Sequence, residues 1–161
     1  MALGDNTLRS AAGNSQRGRN PFMVQTTLNW ATALSDKGSA LAAADVIPVI
    51  AVPKGTMVLN AGIEVDTATD GSTFTVDLGT GVDPDVFVDG FDATSAAAVV
   101  AQNPAAYQPV MAVADDNIDV TIASLSGGAV SSGKFRVWAV LMDCTDMGDT
   151  AADEVARDAL A

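Results

Sequence analysis

An all-β fold, a β-sandwich or jelly-roll-like domain, is what this sequence predicts, and three observations carry the prediction. Short runs of Val, Ile, Thr and Phe alternate with polar residues. Clusters of Gly, Pro, Asn and Asp separate those runs. No strand–helix–strand rhythm or repeated unit is present, so a parallel α/β sheet is excluded. At 161 residues, 48% of them hydrophobic, the chain is one domain's worth and long enough to bury a core without staples.

The first strand is predicted at "FMVQTTLNW" (Phe22–Trp30). "DVIPVIAVP" (Asp45–Pro53) reads as a strand apolar on both faces, and Pro48 restricts it to an edge or a bulge. "GTMVLNAGIEVDT" alternates, with Met57, Leu59, Ala61, Ile63 and Val65 on the core face and Val58, Asn60, Gly62, Glu64 and Asp66 towards water. Asp70-Gly71 signals a hairpin, and the returning "TFTVDLG" places Phe74, Val76 and Leu78 in the core. Further strands are predicted at Tyr107–Ala114, Asn117–Leu125 and Gly133–Asp143, with Ile118, Val120 and Ile122 inward. "SGGAVSSG" (Ser126–Gly133) is a loop. A short helical turn is predicted within Ala93–Gln102, capped near Asp92 or Thr94.

Three regions follow. Residues 1–20 form an extended basic arm, because "LRSAAGNSQRGRN" lacks any periodicity and carries Arg9, Arg17 and Arg19. Residues 21–144 form the sandwich. Residues 145–161 form an acidic tail with helical potential: Asp149 or Thr150 caps it, and Asp153 and Glu154 suit the first turn. The arm reads either as a frayed chain end or, being opposite in charge to the body, as a segment that orders on an acidic neighbouring surface.

Composition excludes several functions. A net charge of −12 and a pI near 4.1 repel phosphate backbones, so nucleic acid is not an expected partner. The longest apolar run, Ala40–Val52, contains Asp45 and Pro48 and is too short to span a bilayer. No export signal is visible, so synthesis in a cytoplasm is expected. With no histidine there is no Ser-His-Asp triad, and with one cysteine, Cys144, there is no disulfide and no zinc cluster. Only Glu64 and Glu154 are glutamates, and no aromatic groove accompanies either, as a glycosidase would need. Trp30 and Trp138 read as core residues. No enzyme activity and no cofactor are expected.

The stretch "DLGTGVDPDVFVDGF" (Asp77–Phe91) is the one place that suggests a cation site. Asp77, Asp83 and Asp85 supply the oxygen donors that calcium prefers, yet the flanks are strands and no Glu closes the loop. No lysine and no helix follow the glycines, so it is not a phosphate loop. The plainer reading is a turn between two strands: Gly79, Gly81 and Pro84 form it, and Val86, Phe87, Val88 and Phe91 anchor it to the core.

The order of segments resembles the small head proteins of tailed bacteriophages. The resemblance rests on the basic arm; on "VIPVIAVPKGTMVLNAGIEVDTATDG", where Lys54-Gly55-Thr56 opens a strand; on "TVDLGTGVDPDVFVDGFD"; and on "GKFRVWAVLMD". It covers Val46 to Asp143. It implies a capsid decoration, or cement, protein: a β-sandwich, commonly trimeric, that sits outside the head lattice and bridges major capsid subunits. Such a protein is made in the cytoplasm of an infected bacterium and ends on the virion exterior. Its partners are the major capsid protein and itself, with Arg9, Arg17 and Arg19 as contact candidates. The alternatives are a tail or head-fibre component and a calcium-stabilised carbohydrate-binding module.

Overall fold

The computed structural model describes residues 20–94, 100–101, 109–126 and 130–144. The basic arm apart from Asn20, the acidic tail, most of the helical turn predicted in Ala93–Gln102, and residues 107–108 and 127–129 lie outside the described residues. Among the described residues nine strands and one short helix follow in order: β1 Phe22–Asn29, α1 Trp30–Lys37, β2 Val46–Val52, β3 Thr56–Thr67, β4 Thr73–Thr80, β5 Val88–Asp92, β6 Val100–Ala101, β7 Val110–Met111, β8 Asp116–Ser126 and β9 Lys134–Asp143.

They form two antiparallel sheets. One runs β1-β9-β3-β6, with β7 also paired to β3; the other runs β2-β8-β4-β5. Leaving β7 aside, the pairs are nested: β1 with β9, β2 with β8, β3 with β6, β4 with β5. The chain is one long antiparallel ribbon, bent at the β4–β5 turn and rolled into two layers. This is the jelly-roll arrangement. The segment 81–87, the centre of the glycine- and aspartate-rich stretch, is the tip of that ribbon.

The core lies between the layers. Phe74, Val76 and Leu78 of β4, and Ile118, Val120 and Ile122 of β8, are fully buried as their alternation predicts. Phe135, Val137 and Ala139 of β9 face them from the other sheet. Trp30 is also fully buried and packs edge-on against Phe74 at 4.8 Å and Phe135 at 5.2 Å. Such aromatic pairs add to the burial of their area.

Six expectations change. Trp30 does not end the first strand; it opens α1. Asn29 accepts a hydrogen bond from the Ala31 N–H at 3.0 Å, and Gly38, at φ 68°, closes the helix through its N–H to Leu34 and Ser35. Asp70-Gly71 does not turn a hairpin, because β3 and β4 belong to different sheets. The turn is a crossover. The Asp70 carboxylate accepts from the Ser131 N–H, the Ser131 hydroxyl and the Ser132 N–H, tying this crossover to the one before β9. Those bonds, the Ser131 hydroxyl first, hold its pKa down to about 2.

In β3 the predicted phase holds only for Ala61, Ile63 and Val65. The register shifts between Val58 and Asn60, so Val58 enters the core, while Met57 and Leu59 are half-buried. An extra residue in one strand reverses every side chain beyond it. In β2, Pro48 sits at a register shift on an edge strand, as its missing N–H requires, yet Val46, Pro48 and Ala51 are exposed, so the strand is covered on one side only. Finally, Val100 and Ala101 are not helical; they pair with Glu64 and Ile63 as β6. The strand predicted at Tyr107–Ala114 is reduced to Val110–Met111 among the described residues.

Candidate interaction surfaces

Because strand side chains alternate, each sheet shows one face to the core and one outward. The two outward faces differ in chemistry. On the β1-β9-β3 sheet, Met23 stands opposite Val140, Trp138 opposite Gly62, and Met57 opposite Met142. Met23 is 61% exposed. Trp138 is thus not a core residue: its neighbours Val137 and Ala139 take the inward positions, and it stands opposite Gly62 in register, partly exposed. Polar residues share this face: Gln25 stands opposite Trp138, Asn60 opposite Val140, and Arg136 pairs with Glu64 across the strands at 3.0 Å.

The β2-β8-β4 sheet carries acids outward instead. Asp119 of β8 lies between Pro48 and Gly79 in register and is only 8% exposed. Asp77 of β4 is half-buried and accepts the Gly90 N–H at 2.7 Å. Burial pushes both carboxyls up; the charges of Asp89 and Asp85 add to this at Asp77, and that of Asp116 at Asp119. A raised carboxyl weakens the fold when ionised. That penalty is present above the folded-state pKa and relieved as pH falls through it. Asp119→Asn is therefore expected to raise the melting temperature at pH 7 and to leave it unchanged near about pH 3. A melting temperature lowered equally at both pH values would show that Asp119 is held by structure alone.

The three candidate calcium ligands are only partly brought together. Asp83 and Asp85 share a hydrogen bond between their carboxyls, which raises the pKa of Asp83. Asp77 feels the charge of Asp85 from its place in β4, with its oxygen engaged by Gly90. Among the described residues no group of three or more acidic, Cys or His side chains is disposed to hold a metal ion. The segment 81–87 is organised by its own backbone: the Thr80 N–H donates to the Asp83 carbonyl at 2.7 Å, and the Thr80 hydroxyl accepts from the Val82 and Asp83 N–H groups.

The same segment forms one wall of a groove at the end of the sandwich, about 470 Å³ in volume. Val52, Val58, Val82, Val110, Met111 and Val113 supply its apolar lining. Val82 is 89% exposed and Val113 is 80% exposed. Two carboxylates brace the walls. Asp115 accepts the Lys54 N–H at 2.9 Å, linking the β7–β8 segment to the β2–β3 turn. Asp116 accepts the Gly81 N–H at 3.3 Å, linking it to the ribbon tip. Sequence reasoning misses this groove. Its signal is the presence of bare valines in turn segments, "TGVDPD" and "MAVADD", where polar residues are the rule. Arg9, Arg17 and Arg19 lie outside the described residues.

The arrangement defines a jelly-roll sandwich with one acid-bearing face, one mixed face on which Met23, Trp138 and Val140 stand among Gln25, Asn60 and Arg136, and an apolar end groove. No family model and no curated protein sequence matches the chain. Solved structures do. A chain of the cyanophage Pam1 capsid asymmetric unit aligns with a TM-score of 0.61 at 17% identity, over 88% of this chain and 97% of that one. A chain of the Ralstonia phage GP4 capsid aligns with a TM-score of 0.57 at 17% identity, over 79% and 86%. A chain of the acid-stable capsid of Helicobacter pylori bacteriophage KHP30 aligns with a TM-score of 0.51 at 12% identity, over 76% and 86%. At these identities the likeness establishes a shared fold.

Proposed function

We propose that the protein is a structural component of a phage particle, a decoration protein that binds the outside of the capsid and bridges major capsid subunits as a homotrimer. The observation that carries this reading is the fold shared with chains of three phage capsids, across 97% of the Pam1 chain. Jelly rolls also serve lectins, so the fold by itself does not decide the matter. The surfaces add support. The outward Met23, Trp138 and Val140 are suited to burial between copies, and a net charge of −12 keeps unassembled copies apart. No catalytic step is assigned to any residue. Among the described residues no helix is long and apolar enough to cross a membrane.

Many copies binding only the mature lattice stabilise it by mass action. A trimer also multiplies three weak contacts into one strong one. In this reading Arg9, Arg17 and Arg19 contact acidic capsid surface or a sister subunit. The test is reconstitution on particles that lack the protein, followed by imaging and copy counting. Hundreds of copies spread over the head are expected; a few dozen confined to one vertex or to the tail would identify a fibre or tail component instead. Deleting residues 2–20 is expected to lower occupancy at least about tenfold at matched concentration. Unchanged occupancy removes the arm from the contact.

A further inference from the structure

We infer that the N-terminal segment, residues 1–19, docks in the groove lined by Val52, Val58, Val82, Val110, Met111 and Val113. Position is the first reason. Strand β1 begins at Phe22, opposite Leu141, and Leu141 is opposite Val58 of the groove wall. The N-terminal segment therefore leaves the sandwich at the groove's own end, two strands away, a distance of about 10 Å at the usual strand spacing. Nineteen residues span up to about 60 Å when extended, far more than is needed.

Charge is the second reason, and it selects between the two end segments. β9 also ends here, with the Cys144 N–H bonded to the Gly55 carbonyl, so residues 145–161 leave from the same end. That tail contains Asp146, Asp149, Asp153, Glu154 and Asp158 against Arg157 alone. The groove rim carries Asp115 and Asp116, which repel it. The N-terminal segment has Arg9, Arg17 and Arg19 against Asp5, and it brings Leu3 and Leu8 as apolar side chains for the valine-lined floor. Attraction at the rim and burial at the floor then act together. The docking belongs to the free protein and does not depend on the capsid reading; on a capsid the arm exchanges the groove for the contacts proposed above.

The test uses free protein without capsids, so its failure leaves the virion role standing, and the reverse holds. Backbone hydrogen exchange is followed at 110–114 in the full chain, in a variant lacking residues 1–19 and in one lacking 145–161. Removing residues 1–19 is expected to speed exchange there about tenfold, and removing the tail to leave it unchanged. A synthetic peptide of residues 1–19 should restore the slow rate to the shortened protein. It should fail to do so when Val82→Lys and Val113→Lys place cations on the groove; both positions are so exposed that the fold tolerates the change. Equal exchange with and without residues 1–19, or exposure of the groove on removing the tail, overturns the inference.

Discussion

Replacing Gly79 with alanine is expected to lower stability by about 3 kcal/mol and to dislodge the ribbon tip. A Cβ on Gly79 would lie 2.2 Å from the Asp83 carbonyl oxygen and 2.2 Å from the Pro84 carbonyl carbon. Both obstacles are backbone, so no side-chain rotation relieves them. The segment must lift off, and the bonds from Thr80 to Val82 and Asp83 go with it. Gly90 is the control. It sits at φ 63°, and a methyl group there would meet nothing within 4 Å, so Gly90→Ala is expected to cost only about 1 kcal/mol, from backbone strain. Urea melts of the two variants check the ordering. If Gly79→Ala proves the milder, the tip is not packed against the strand.

Phe74→Ala is expected to cost about 4 kcal/mol. The ring is fully buried on β4 and meets Trp30 edge-on at 4.8 Å, interplanar angle 88°. Its removal empties space on the β4 side of the aromatic cluster, while Phe135 still holds the indole from the other sheet. The surrounding strands are fixed by their ladders and collapse poorly into the gap. Phe74→Leu keeps most of the volume and is expected to cost under about 2 kcal/mol. Near-ultraviolet circular dichroism should lose the asymmetric signal of Trp30 in the alanine variant before global unfolding. A loss under about 1 kcal/mol would mean that Phe74 is not a keystone of the packing.

Phe74 is also a residue that period-two alternation alone places in the core, as it does Ile118, Val120 and Ile122. Alternation reports burial wherever a strand is regular. It fails in β3, where the register shift near Leu59 reverses the phase, because a bulge leaves no mark in composition. The Asp70-Gly71 pair is legible as a turn but not as a crossover. A dipeptide specifies the local reversal of the chain and says nothing about which sheet the next strand joins. Helix α1 escapes notice because eight residues give too short a period, although Asn29 and Gly38 are both visible as caps. The groove is beyond reach for a different reason. Its lining comes from β2, β3, the ribbon tip and the β7–β8 segment, which only the rolled topology brings together.

The nested pairing has a consequence for how the chain is made. Phe22 finds its partner in Leu141, near the far end of the described strands, whereas β4 finds β5 almost at once. During synthesis β1 emerges long before its complement β9 exists. Folding is thus expected to start at the middle hairpin and close outward, with the β1–β9 seam formed last. Until then β1 is an open edge beside many identical nascent neighbours, which makes exchange of that strand between copies the natural misassembly to look for when the protein is overproduced.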